Sequence, residues 1–181
     1  MSHEDVIAAT RLWLEKAVIG LDLCPFARKV YLENRVRLVV SDARHLDGFL
    51  EDLDRELALL AQTPASEIDT TLLIHPTLFS DFIDFNDVLL LADEAISEQA
   101  LDGVLQVANF HPDFQFDGCE PDDMVNYVNR APFATLHLLR DASVDAAVAE
   151  EAGADAIAER NSATLEKLGH AGWLALGLGK H

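Results

Sequence analysis

The sequence is poor in cysteine and has no long apolar run. Its two cysteines, Cys24 and Cys119, form no C-x-x-C pair, so neither a disulfide framework nor a zinc clip is indicated. Reduced thiols in a cytosol are the expectation. No stretch approaches the roughly 20 apolar residues that span a bilayer, and the N-terminal segment is acidic rather than basic. We therefore expect a cytoplasmic protein with no signal peptide and no membrane partner.

Basic residues are also scarce. The chain has 13 Lys plus Arg against 32 Asp plus Glu, a net charge of -19 at pH 7, which opposes binding to nucleic acid. Residues 28–44 are the exception, with five basic residues against two acidic ones. Such a positive island can focus a small anionic ligand. Alternatively, Arg35 and Arg37, which alternate with apolar residues, keep an edge strand from pairing with other chains.

The common nucleotide and hydrolase motifs are absent. The sequence contains no G-x-G-x-x-G, no P-loop and no G-x-S-x-G. The sequence therefore gives no motif support for binding of a dinucleotide or a nucleoside triphosphate, or for an α/β-hydrolase function.

The pattern of hydrophobic residues predicts one domain over residues 1–181, with strands and helices in alternation. Strands are predicted at 35–40, 70–74, 104–110 and 133–139, and helices at 6–18, 46–60, 79–100, 143–151 and 156–168. A short extra strand or an ordered loop is expected between 110 and 122, and a packed tail that frays at Lys180 and His181. Because parallel strands need long crossovers, we expect an α/β (or α+β) fold. Its single layer has four to five mostly parallel strands covered by helices, with an N-terminal helix and two C-terminal helices.

Three histidines belong to predicted strands. His75 and His111 each precede a proline where a strand ends, and His137 lies inside the last strand. Ligands gather at the carboxyl ends of parallel strands, so His75 and His111 are expected near each other, with His111 as an acid/base or ligand contact. The three imidazoles, with Asp113 or Asp117, could form a metal site, although H-E-x-x-H is absent. Alternatively, the rings that end strands bond neighbouring carbonyls, and His137 is a satisfied, half-buried residue.

Cys24 is a candidate nucleophile. A thiol followed by proline at a helix start has its pKa lowered by the helix N-terminus. The tetrapeptide Cys24-Pro25-Phe26-Ala27 looks like the active-site turn of omega-type glutathione transferases and, less closely, of glutaredoxins. Those folds place a strand before the cysteine, whereas a helical pattern precedes it here. A buried structural cysteine is the alternative.

The segment 121–132 is dense in polar side chains between two prolines. Asn126, Asn129 and Arg130 stand at helical spacing after Asp122 and Asp123. Arg130 could clamp a carboxylate or phosphate in a bidentate pair, with the two amides reading polar groups. The alternative is a short capped helix in which Arg130 pairs with an acidic neighbour.

Several blocks of the chain resemble an uncharacterised bacterial family, the domain-of-unknown-function 1415 proteins. They are LCPFA at 23–27, RVR at 35–37, LIHP at 73–76, NFHPDFQF at 109–116, NRAP at 129–132 and LHLLR at 136–140, with ERN at 159–161 and LGH at 168–170. The resemblance covers nearly the whole chain and implies a cytosolic bacterial protein, but it brings no activity with it. After Asn-Arg the family tends to have Ser-Pro-Tyr, where this chain has Ala131-Pro132-Phe133.

Together these features favour an enzyme that acts on a small anionic metabolite. The predicted catalytic residues are His111, Cys24 and His75, and the predicted ligand contacts are Arg28, Asp113, Asn126, Asn129, Arg130 and His137. One alternative is a non-catalytic ligand-binding or protein-assembly module. Another is a metal-binding protein with His75, His111 and His137 as ligands. The sequence identifies no cofactor, substrate, reaction class or oligomeric state.

Overall fold

The computed structural model describes residues 1–151 and 153–178; the predicted fraying of the last two residues lies outside them. In these ranges four strands form: β1 Val36–Val40, β2 Thr70–His75, β3 Leu105–Phe110 and β4 Ala134–Arg140. Each matches its predicted bounds to within one residue. Residues 111–123 form a loop, so of the two predictions for that region the ordered loop is confirmed.

The helices surround this sheet. They are α1 His3–Trp13, α2 Ala27–Leu32, α3 Leu46–Gln62, α4 Phe82–Glu98, α5 Asp141–Glu150 and α6 Ala154–Ala175. A π-helical turn (Leu14–Val18) continues α1, and a 3-10 turn (Met124–Asn129) precedes β4. The cap of α1 follows from its sequence, because Ser2 and Asp5 bond each other's backbone N–H groups in a capping box. The predicted end at 168 is wrong, since α6 resumes beyond a break at Gly169.

The strand directions correct one part of the predicted fold. The sheet order is β1-β2-β4-β3, in which β1 and β2 are parallel while β4 runs antiparallel to both of its neighbours. The mixed α/β architecture is confirmed, but the expectation of mostly parallel strands is wrong. The physical reason lies in the β3–β4 connection, which has only a short 3-10 turn where a parallel neighbour would need a crossover helix. The carboxyl ends of β1, β2 and β3 meet at one edge of the sheet.

Two apolar cores lie on opposite faces of the sheet. One packs α3 and α4 against alternate residues of the central strands, such as Leu73 and Leu136. The other packs α1 and its π-helical turn against the intervening residues, such as Leu72 and Ile74. Since successive strand residues point to opposite faces, a residue's parity decides which core it joins. His137 lies between Leu136 and Leu138 and therefore faces away from α3 and α4.

Two of the five basic residues of the island at 28–44, Arg35 and Arg37, are paired with carboxylates. Arg37 donates to Glu56 in α3 through Nε at 2.7 Å and through a terminal nitrogen at 3.0 Å, and Glu56 is only 4% exposed. Arg35 pairs with Asp69 and with Glu33. These bonds tie the edge strand β1 to α3 and to the loop before β2. Arg35 and Arg37 are therefore engaged within the fold and do not form a free anion site; their role in protecting the edge strand stays a prediction. Among the described helices, none is long and apolar enough to cross a membrane.

Candidate ligand pocket

His75 closes the turn that follows β2. Its Nε2 lies 2.7 Å from the carbonyl oxygen of Ala43, and its Nδ1 accepts from the N–H groups of Leu78 at 2.9 Å and Thr77 at 3.3 Å. A carbonyl can only accept, so Nε2 carries the proton and the ring is neutral. Both nitrogens are engaged with backbone groups.

His111 repeats this arrangement after β3. Its Nε2 donates to the carbonyl of Phe79 at 3.1 Å, and its Nδ1 accepts from the N–H of Asp113 at 3.0 Å. The ring is 1% exposed and packs against Phe82 and Phe85. His111 and His75 thus lie at the same sheet edge, but each stabilises its own turn. Their predicted catalytic roles stay predictions, and neither ring has a nitrogen left for a substrate.

The three histidines do not form one metal site. The rings of His75 and His111 pack on the α3–α4 side, against Phe49, Phe79 and Phe85. His137 faces the other side, as its parity in β4 requires. Across residues 1–151 and 153–178, no three His, Cys, Asp or Glu side chains are grouped so that they could hold a metal ion. The predicted metal set is therefore wrong, because the pleat of the sheet separates its members.

The polar residues of the 3-10 turn brace the loop that precedes it. Asn126 is fully buried; its Oδ1 accepts from the N–H of Phe116 at 2.9 Å and its Nδ2 donates to the carbonyl of Glu120 at 2.8 Å. Asn129 donates to the carbonyl of Asn109 at 3.1 Å. These side chains hold backbone groups that β3 and the loop leave unpaired.

Arg130 is also occupied within the fold. Its guanidinium donates to the carbonyls of Phe114 at 3.2 Å and Pro121 at 2.7 Å, and it lies 4.1 Å from the ring centroid of Tyr127. The predicted pairing of Arg130 with an acidic neighbour is replaced by these carbonyl and ring contacts.

Two other predicted ligand contacts lie at the surface. Arg28 is exposed and donates to the carbonyl of Ile19 at 3.1 Å, and the side chain of Asp113 is exposed.

A partly open pocket of about 410 Å³ lies on the second face of the sheet. The sheet forms its floor, α1 and the turn before α2 form one wall, and α5 and α6 form the other. Its large apolar members include Trp13, Phe26, Phe110, Leu139, Val148 and Ile157. The lining also includes small residues, among them Ala108 in β3 and Ala147 in α5. Large side chains in these two positions would fill the space.

His137 is the exceptional polar residue of this pocket. Within the described part of the chain its ring makes no hydrogen bond, and its ring contact is with Phe110, at 5.8 Å between centroids. Burial lowers the pKa of His137 to about 4, because the charged form loses its hydration. The side chain keeps accessible surface only because it borders the pocket. It therefore offers a ligand one donor and one acceptor nitrogen.

Cys24 also borders the pocket, in the turn before α2. Burial raises the pKa of its thiol and outweighs the opposite effect of the N–H groups of Phe26 and Ala27. The expectation of a lowered pKa is therefore wrong. Desolvation of the thiolate is more unfavourable than the hydrogen bonds from those two N–H groups are favourable. The turn is held to α6 by Asn161, whose Nδ2 donates to the carbonyl of Leu23 at 2.8 Å.

The pocket itself was not foreseen among the predicted sites. Of the predicted residues, it brings together Cys24, His137 and Asn129. His75, His111, Arg28, Asp113, Asn126 and Arg130 lie outside it. The available signal was the single imidazole of His137, which stands between two leucines in β4.

The fold and pocket define a mixed α/β protein with an apolar cavity between its sheet and its C-terminal helices. The chain belongs to the family described as "Protein of unknown function (DUF1415)", whose model matches residues 5–175. This confirms the family resemblance of the sequence blocks. No curated protein matches the chain, and no solved structure does.

Proposed function

We propose that this protein is a ligand-binding module whose pocket takes a small, mainly apolar molecule. The observation that carries the proposal is the imidazole of His137, which borders a cavity of about 410 Å³ and makes no hydrogen bond to the described residues. Concave apolar sites of roughly 300 to 1,000 Å³ with a few polar groups are typical of small-molecule binding. A polar group with a perturbed pKa in such a cavity strengthens that interpretation.

The energetics favour an occupant. A buried polar group without a partner costs free energy that a ligand's hydrogen bond would offset. An apolar molecule would leave water for contact with the aromatic walls, among them Trp13 and Phe110, which is favourable. Binding would thus offset two unfavourable terms, the unpaired imidazole of His137 and the exposure of the ligand's apolar surface to water.

The geometry supports catalysis less well. Cys24 borders the pocket, whereas His75 and His111 pack on the opposite face of the sheet. A nucleophile needs its base within hydrogen-bond reach, and the three predicted catalytic residues do not share one site. An anionic metabolite is disfavoured as well, because Arg35, Arg37 and Arg130 already bind carboxylates or carbonyls.

The proposal is tested by filling the pocket. Ala108→Phe and Ala147→Phe each place a ring in the cavity, on β3 and α5 respectively, while Ala149→Phe is the control on an exposed position of α5. The probe is N-phenyl-1-naphthylamine, an uncharged dye whose emission rises in apolar surroundings. We expect saturable binding at one site in the wild type and in Ala149→Phe. The two pocket variants should lose at least about tenfold in affinity, since overpacking excludes the dye.

Folding of each variant is checked by circular dichroism and thermal unfolding. Equal dye binding by the wild type and by a folded pocket variant would contradict the proposal. So would the absence of saturable binding to the wild type.

A further inference from the structure

We infer that the ligand is an uncharged ring compound with one hydroxyl group, and that the hydroxyl lies against His137. This inference rests on the proposed function and narrows it to a chemical class, phenols and cyclic alcohols.

The first argument is the charge of the lining. Among the described residues that border the pocket there is no Asp, Glu, Lys or Arg. An ionised ligand would lose its hydration on entry and would meet no counter-charge, which opposes its binding. Carboxylates, phosphates and amines are therefore selected against. The high net negative charge of the chain, -19, adds a further penalty for anions.

The second argument is the chemistry of His137. The neutral imidazole has one N–H donor and one bare nitrogen acceptor. A hydroxyl can donate to the bare nitrogen or accept from the N–H, so it is matched whichever nitrogen carries the proton. A carbonyl can satisfy only the N–H. Thr70 Oγ1 and Asn129 Nδ2 already donate to the carbonyls of Leu138 at 2.6 Å and of Asn109, whereas neither nitrogen of His137 has a hydrogen-bond partner among the described residues.

The third argument is the aromatic content of the walls. Trp13 and Phe110 lie edge to face, with 5.2 Å between ring centroids, and Phe26 and Phe116 also border the cavity. Aromatic rings favour further rings in offset or edge-to-face packing. Phe110 also contacts the His137 ring, which would place the hydroxyl of a bound ring compound beside the aromatic wall.

Three probes with the same ring system test the inference. They are 2-naphthol, naphthalene and 2-naphthoate, which differ only in a neutral hydroxyl, no polar group or a carboxylate. Binding is measured at pH 7 from the NMR chemical shifts of pocket methyl groups and of the His137 ring. We expect 2-naphthol to bind about fivefold more tightly than naphthalene, the yield of one net hydrogen bond. Naphthoate should bind at least about a hundredfold more weakly than 2-naphthol.

The variant His137→Leu separates the hydrogen bond from the apolar contacts. It should bind naphthalene as the wild type does and should bind 2-naphthol no better than naphthalene. The ligand class is overturned if wild-type protein binds naphthoate or naphthalene as tightly as 2-naphthol, or if His137→Leu keeps the preference for 2-naphthol. In those cases apolar binding still occurs and the proposed function stands. If none of the three probes binds saturably, the proposed function itself fails.

Discussion

His75, His111 and His137 are three imidazoles with two different kinds of surroundings. Two of them bond a carbonyl with Nε2 and accept a backbone N–H with Nδ1. These bonds close the turns after β2 and β3. The third makes no hydrogen bond to the described residues and is kept neutral by burial alone. The hydrogen bonds of His75 and His111 stabilise the fold, whereas the ring nitrogens of His137 are available for hydrogen bonds to a ligand.

His137 gives the stability of the protein a specific pH dependence. Its pKa is about 4 in the folded state and 6.5 in the reference state, so the unfolded chain binds a proton first as the pH falls. Above pH 6.5 the ring is neutral in both states and has no effect on the free energy of unfolding. Between pH 6.5 and pH 4 protonation favours the unfolded chain, so the free energy of unfolding falls progressively, by about 3 kcal/mol at the lower end. Urea unfolding at pH 7, 5.5 and 4.5 measures it.

The control for this dependence is His137→Leu, because many carboxylates titrate in the same range. The variant should lose less stability than the wild type on going from pH 7 to pH 4.5. Parallel curves for the two proteins would show that His137 is not held neutral in the fold.

Among the elements, α6 is the one whose path depends on a single backbone conformation. It covers the pocket near Ile157 and then breaks at Gly169, whose φ of 61° and ψ of 175° are open almost only to glycine. Beyond the break, Trp173 packs edge to face on Tyr127, with 5.0 Å between ring centroids. Because of the kink, the first part of α6 lines the pocket and the part beyond Gly169 packs against the 3-10 turn.

Replacing Gly169 by alanine should destabilise the protein by about 1 to 3 kcal/mol. A Cβ at this position would meet no atom within 4 Å, so the loss comes from backbone strain and not from a clash. Gly48→Ala is the matched control, since Gly48 lies inside α3 and its Cβ would meet Ala43 at an ordinary 3.5 Å. That change should stabilise by roughly 0.5 to 1 kcal/mol. Chemical denaturation of both variants checks the opposite signs, and a neutral Gly169→Ala would contradict the strain argument.

The strands could be predicted from the sequence because each is a run of apolar and β-branched residues bounded by turn residues. Their directions could not, since nothing local says that β4 returns between β2 and β3. The face of His137 follows from its alternation with Leu136 and Leu138. The partners of His75 and His111 do not, because Ala43 and Phe79 are each 32 residues away along the chain. The pocket depends on how α5 and α6 rest on the sheet, which no local pattern encodes.

At the scale of the whole molecule, the dominant electrostatic feature is the net charge of -19. The outer faces of α3 and α4 carry much of it, for example at Asp47, Glu51, Asp87 and Glu94, which are exposed or half-buried. Like charges this dense repel one another and favour expanded states. The buried pair of Arg37 and Glu56 is shielded from the solvent on its carboxylate side and responds less to salt.

Salt should therefore stabilise this protein. Raising NaCl from about 10 mM to about 500 mM shortens the screening length from roughly 30 Å to a few ångströms, which weakens the repulsion more than it weakens the buried pair. We expect a higher midpoint of thermal unfolding, followed by circular dichroism. Sucrose, which carries no charge, is the comparison for nonspecific exclusion. A midpoint that falls with NaCl would mean that attractive surface pairs dominate.

The two tryptophans of the chain differ in their relation to the pocket. Trp13 borders the pocket, whereas Trp173 lies against Tyr127 at the far end of α6. Replacing Trp173 by phenylalanine would keep a ring in that contact and leave Trp13 as the single indole. The emission of such a variant would come entirely from the pocket wall. The fluorescence of Trp13 would therefore report, without an added label, whether a ligand occupies the pocket.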